Sequence, residues 1–186
     1  HLDELVVQRT QELEIALESI QSLSTIDFLT GCFNRRLFNE RIAQELDRAE
    51  RYQRPISLIF CDIDHFKLIN DTYGHLVGDQ VLQGIAKGFE RNLRAEVDWV
   101  ARYGGEEFVI VLPETGLAEA ITTAERLRQA IEGDQLLEGN ETFRVTASFG
   151  VAQHRLGETA QVLIQEADTL LYKAKQGGRN RVCPAP

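Results

Sequence analysis

Residues 55–64 read PISLIFCDID, and the architecture follows from them. The stretch LIFC is unbroken apolar, which suits a strand buried on both faces near the middle of a sheet. The run then ends on Asp62 and Asp64. Residues i and i+2 of a strand project to one face, and two carboxylates side by side repel unless something positive sits between them. A free carboxylate next to an apolar run is costly, so Asp62 reads as a metal ligand. For Asp64 the preferred reading is a cap on the following helix.

Outward from this strand, helices and strands alternate. Residues 34–52, 78–93, 116–131 and 159–176 read as helices, the last closed by Gly177 and Gly178 as C-cap candidates. Residues 98–103 and 106–112 flank Gly104-Gly105, the signal of a two-residue hairpin whose glycines would take the positive φ of a type I′ turn. Residues 143–153 read as one more strand. The expected fold is α+β, a central, mostly antiparallel sheet flanked by helices.

The first 26 residues differ from the rest. Leu2, Val6, Arg9, Leu13, Ala16, Ile20 and Leu23 are spaced 4, 3, 4, 3, 4, 3, the 3.5-residue period of a coiled-coil seam. Arg9 and Ala16 weaken the seam, and the alternative is an amphipathic helix packed on its own domain. The expected organisation is a coiled-coil helix over 1–26, ending an upstream region, one folded domain over 27–182 and a tail over 183–186. The chain opens on His1 and contains no Met, as expected of a piece of a longer protein.

The chain has 186 residues and a formal net charge of -9, which argues against a nucleic-acid partner. No apolar run approaches the ~20 residues of a membrane span, so no membrane contact is expected within these residues. Cys32, Cys61 and Cys183 lack metal-site spacing and, being odd in number, suit a reducing cytoplasm. Cys61 reads as core. Any membrane anchor would lie upstream.

Glu106 and Glu107 follow the glycine pair. Neighbouring strand residues point opposite ways, so the two acids cannot face one site equally. If the hairpin lies beside 55–64, Asp62 and Glu106 converge and the Ile63 carbonyl completes an oxygen set for a hard divalent ion, which takes a few carboxylates plus substrate phosphate. Such sites promote attack of a hydroxyl on a nucleotide phosphorus. The bland reading of these acids is a solvated tight turn.

RYGGEEF (102–108) resembles the signature of the GGDEF family of diguanylate cyclases, in a GGEEF variant. DFLTGCFNRR (27–36), FCDIDHFKLINDTYGHLVGD (60–79) and YKAKQGGRN (172–180) resemble three further blocks of that family in order. The resemblance implies a nucleotidyl cyclase-like, ferredoxin-like core that condenses two GTP into cyclic di-GMP plus two pyrophosphates across a homodimer. It implies two Mg²⁺ or Mn²⁺ per GTP site on Asp62, the Ile63 carbonyl and Glu106. Glu106 would accept the 3′-hydroxyl proton, with Glu107 as the alternative. Asn70 and Asp79 would read guanine; without the family match, Asn70 reads as part of a turn and Asp79 as a helix N-cap. Phe66 and Lys67 would cradle phosphates through main-chain N–H groups, Lys175 and Arg179 would contact the triphosphate, and His75 would support the substrate pocket. His65 stands where many members have Phe. The family's product-binding inhibitory pattern, Arg-x-x-Asp, is degenerate: Ala95 replaces the Arg, Asp98 is present, and Arg94 is one residue out of register. The heptads would raise the local concentration of two domains whose active sites face each other.

Overall fold

The structure, a computed structural model, describes residues 6–10, 24–133, 135–138 and 141–185. Residues 6–10 are helical, but the heptad pattern as a whole lies outside the described residues. Among the described residues no helix is long and apolar enough to cross a membrane.

The elements run β1 (Phe33–Asn34), α1 (Arg35–Tyr52), β2 (Ile56–Ile63), α2 (Phe66–Tyr73), α3 (His75–Asn92), β3 (Trp99–Gly104), β4 (Glu107–Pro113), α4 (Leu117–Gly133), β5 (Gln135–Glu138), β6 (Glu141–Arg144), β7 (Ala147–Gln153), α5 (Ala160–Gln176) and β8 (Val182–Pro184). Six strands form one sheet in the order β1-β3-β4-β2-β7-β8, while β5 and β6 pair separately. The inner pairings β3–β4, β4–β2 and β2–β7 are antiparallel, and only the edge pairings β1–β3 and β7–β8 are parallel. The mostly antiparallel sheet expected from the sequence is therefore present, with β2 inside it.

All eight residues of β2 are buried because both sheet faces are covered. Ile59, Cys61 and Ile63 face a core completed by Val81, Leu82, Ile85 and Phe89 of α3 and Ala124, Leu127 and Ile131 of α4. Leu58 and Phe60 face the other core, with Phe38, Ile42 and Leu46 of α1 and Leu163, Ala167, Leu170 and Leu171 of α5. Each fully buried Leu, Ile or Phe contributes about 1.5–3 kcal/mol. Helix α1 starts where the Asn34 side chain accepts from Leu37 N–H, and α5 where Thr159 accepts from Val162 N–H. As expected, Cys61 is core, and burial pushes its thiol well above the usual range.

Four local expectations need correction. The strand expected over 143–153 is two, β6 and β7, separated by Val145-Thr146. The helix expected from residue 78 begins at His75, after Gly74 (φ +88°) separates it from the unforeseen α2. Asp79 therefore lies inside α3 and caps nothing. In the hairpin, a register shift between Arg102 and Gly104 moves the turn one residue on, so Gly104 pairs with Glu107. The central residues are Gly105 (φ +51°) and Glu106, and Gly104 does not take positive φ, so the type I′ turn on Gly104-Gly105 is not made. Residues set apart as a tail extend the sheet: β8 runs parallel to β7, and Ala185 N–H donates to Val151 O at 2.8 Å.

Candidate active site

The C-terminal end of β2 is where separate parts of the chain meet. Asp62 is only 6% exposed and sits between Glu107 of β4 and Ser148 of β7 in the ladder. Its Oδ2 lies 2.8 Å from Lys175 Nζ, brought in by the last turn of α5. Burial pushes the Asp62 carboxyl above the usual range; Lys175 opposes this, and the charges of Glu106 and Asp64 add to it. Glu107 is also raised, first by burial, then by Asp62, with Lys175 opposing and Asp168 and Glu106 adding. Ile63 N–H donates to Glu106 O at 3.4 Å, which fixes the turn against the strand end. The expected convergence of 62 and 106 thus occurs, although the residue in register with Asp62 is Glu107.

The donor set suits a hard divalent ion. Among the described residues no three acidic, thiol or imidazole groups form a ready-made cage. Mg²⁺ does not require one, because it uses one or two carboxylates and takes its other oxygens from water and phosphate. The repulsion among three buried or half-buried acids, opposed by the Lys175 ammonium group, is an electrostatic demand that a cation would meet.

Asp64 does not cap α2. That helix follows His65 (φ +56°) without a side-chain cap. Asp64 is 4% exposed and accepts from Ser148 Oγ at 2.7 Å, Thr146 Oγ1 at 2.8 Å and Asn180 N–H at 3.0 Å. The uncapped start of α2 leaves first-turn N–H groups, those of Phe66 and Lys67 among them, open to an anion.

Asn70 and Gly78 meet across the α2–α3 bend. A Cβ on Gly78 would lie 1.9 Å from Asn70 Oδ1 and 3.2 Å from Phe66 Cζ, so only glycine permits this approach. Asn70 Oδ1 is buried without a hydrogen-bond partner, a costly state that a ligand donor would relieve. Asp79 is exposed beside Gly78, and His75 is exposed at the start of α3. Arg179 is exposed in the left-handed region (φ +62°) just after α5. On the far side of β3, Asp98 is claimed by Arg94, whose N–H, Nε and Nη2 donate to it at 2.8, 3.0 and 2.5 Å. Arg94 Nη2 also donates to Pro113 O and Thr115 Oγ1, each at 2.8 Å.

The residue reading missed two contributors. Arg102 Nη1 reaches both Asp27 oxygens at 3.2 Å, while its Nε donates to Gly105 O at 2.9 Å. Both residues stood inside the quoted blocks, but their pairing spans 75 positions. Asp168 of α5 acts on Glu107 through its charge and carried no sequence signal.

An antiparallel sheet whose central strand ends in acidic residues lies next to an uncapped helix start, with Lys175 on Asp62 and Arg179 just after α5. A family described as "Diguanylate cyclase, GGDEF domain" matches residues 24–181, and the chain belongs to it. It is 42% identical over 176 residues to the response regulator PleD of Caulobacter vibrioides, covering 93% of this chain and 38% of that protein. It is 41% identical over 175 residues to the diguanylate cyclase VdcA of Vibrio cholerae, covering 92% and 50%. The coiled coil and GGDEF domain of DgcB from Caulobacter crescentus, solved with c-di-GMP, superposes with a TM-score of 0.83 at 33% identity, over 99% of each chain. The chain therefore spans half or less of the length of these two curated relatives.

Proposed function

We propose that this domain condenses two GTP molecules into cyclic di-GMP with release of two pyrophosphates. The observation that carries the reading is the meeting of Asp62, Glu106 and Glu107 at one strand end, with Lys175 on Asp62. Asp62, the Ile63 carbonyl and Glu106 would hold two Mg²⁺ or Mn²⁺ ions per GTP site, and the ions would supply charge stabilisation to the phosphoryl transfer. Glu106 takes the proton of the attacking 3′-hydroxyl. Glu107 is the second candidate; burial raises its carboxyl. The 3′-oxygen forms a bond to the α-phosphorus of the other GTP, the α–β phosphoanhydride bond breaks, and pyrophosphate leaves.

Substrate recognition follows from the α2–α3 bend. Asp79 accepts from guanine N1–H and N2–H, and Asn70 finds there the partner its amide lacks. Adenine would set an acceptor against Asp79 and is disfavoured. Main-chain N–H groups at Phe66 and Lys67 cradle the outer phosphates, Lys175 and Arg179 offset their charge, and His75 supports the pocket wall.

One domain offers one GTP site, while two bonds must form. Two copies facing each other, held by the heptads of residues 1–26, satisfy this with closed two-fold symmetry. The domain proper runs from residue 27 through β8, and the assembly works in the cytoplasm, where GTP is supplied. The related DgcB structure with c-di-GMP supports the product assignment.

Incubation with GTP and Mg²⁺ tests the reading. Cyclic di-GMP identified by mass, with pyrophosphate, is the expected outcome, and Glu106→Gln should lower the rate by about 10²–10³-fold. A nucleotide-binding module would release no pyrophosphate, and a cyclase of another kind would give a monomeric cyclic nucleotide. The engagement of Asp98 by Arg94, with Ala95 beside it, leaves no free Arg-Asp pair for product at that place. Added cyclic di-GMP should therefore leave the initial rate unchanged up to micromolar levels; inhibition abolished by Asp98→Ala would contradict this.

A further inference from the structure

The loop after α5 contains a device that the chemistry above does not use. Gly178, Arg179 and Asn180 take φ of +113°, +62° and +46° in succession. Two of them carry a Cβ, which the left-handed region disfavours, so the surroundings must hold them there. The hold is visible on both sides of Arg179. Its own N–H donates to Ala174 O at 3.1 Å, and the next N–H, of Asn180, donates to Asp64 Oδ2 at 3.0 Å. Asp64 is itself fixed by the hydroxyls of Ser148 and Thr146. The Asn180 amide is gripped from α4: its Oδ1 accepts from Arg128 Nη1 at 2.8 Å and its Nδ2 donates to Glu132 Oε1 at 2.9 Å. Arg128, with its side chain 14% exposed, is in turn held by Glu125 and Glu132, each at 2.7 Å. The guanidinium of Arg179, by contrast, is exposed and has no hydrogen-bond or ion-pair partner among the described residues.

We propose that Asn180, locked between Asp64 and Arg128, is a positioning residue that aims Arg179 at the triphosphate of the substrate. The proposal rests on the assignment of Arg179 to the triphosphate made above. Asp64 stands two residues beyond Asp62 on the same strand end, so its bond to Asn180 sets the Arg179 backbone by reference to the metal-binding carboxylate. Lys175 is referenced to the same strand through its contact with Asp62. One rigid strand end therefore sets both cations. Main chain fixed before binding leaves only side-chain freedom to be lost when the phosphates arrive, and this preorganisation raises affinity.

Binding measured on the whole chain in Mg²⁺ separates positioning from a merely structural role. The probes are a GTP analogue with a methylene bridge between the α- and β-phosphorus, which cannot release pyrophosphate, and GMP, which lacks the outer phosphates. Asn180→Gly tolerates positive φ but loses the amide, and is expected to weaken the analogue about tenfold, like Arg179→Ala, with GMP affinity unchanged. The double variant should bind the analogue no more weakly than Arg179→Ala alone. Asn180→Asp, which keeps the acceptor toward Arg128, should fall between wild type and Asn180→Gly. Additive losses in the double variant, equal losses for GMP, or no loss at all would each overturn the proposal. A wild-type chain that ignores the analogue overturns the functional reading and this one together. Wild-type binding that survives Asn180→Gly unchanged overturns this one alone.

Discussion

Asp62 and Glu107 oppose each other across the β2–β4 ladder, both acidic, the first buried and the second half-buried. Burial raises both carboxyls, Lys175 notwithstanding. A raised carboxyl binds more protons in the native state than in the unfolded one, over the interval between the usual range and the raised one. Stability therefore falls as pH rises through that interval, and the charged form remains a cost above it. Glu107→Gln removes that cost at one position. In chelator at pH 8 its melting temperature should exceed wild type by about 2–4 °C, and the gain should shrink at a second, acidic pH low enough for native Glu107 to take up its proton. With Mg²⁺ and the nonreactive analogue present, wild type should recover the lost ground, because the bound cation favours the charged form. Scanning calorimetry at the two pH values decides the matter, and a lower melting temperature for the variant at pH 8 would count against the argument. On the proposed function, Glu107 yields stability at a place where the chemistry would need charge.

At the scale of elements, legibility followed locality. β2 was readable because its own apolar run announced it, and the hairpin because two glycines interrupt two apolar strands. The short α2 was not, since FKLINDTY buries only Phe66 and Ile69, with Asn70 and Tyr73 half-buried and Lys67, Leu68, Asp71 and Thr72 exposed. Asp64 was misread as a cap because its true partners, Thr146, Ser148 and Asn180, lie 82, 84 and 116 positions away. No local pattern carries such a pairing. The acids of the site were legible singly, and their meeting required the sheet order. Gly150 shows the same division. Its place in β7 was foreseen, its reason was not: a Cβ there would lie 2.0 Å from Ala167 O and 2.3 Å from Leu171 N, both main-chain atoms of α5. Neither can rotate away, so Gly150→Ala should force α5 off the sheet. The expected loss is about 3 kcal/mol, seen in urea unfolding. Because α5 carries Lys175, GTP affinity should fall with it. A variant as stable as wild type would show that the helix yields more easily than close packing allows.

At the scale of the whole molecule, the proposed pairing of two copies turns on residues 24–25, which join the heptad-bearing leader sequence to the folded elements. Ser24 O accepts from Asn34 Nδ2 at 2.8 Å, and Asn34 N–H donates to Thr25 O at 2.9 Å, so residues 24–25 are tied to the start of α1. Asp27 is tied to Arg102, and Arg102 to the carbonyl of Gly105 in the hairpin turn. The leader's exit is thus connected through one ion pair to the hairpin that carries Glu106. Two consequences follow for a chain lacking residues 1–23. The elements described here remain intact, so affinity for the nonreactive analogue should be unchanged. Encounter of two domains, however, becomes bimolecular, whereas a tether supplies an effective concentration of order mM. Rate per protomer should then rise with protein concentration in the truncated chain, approaching the full-length value only when concentrated, while the full-length chain stays flat over the same range. Turnover measured from nanomolar to high micromolar protein distinguishes the cases. Equal, concentration-independent rates for both chains would mean that the facing sites assemble without the heptads, and the leader would have to act through Asp27 and Arg102 alone.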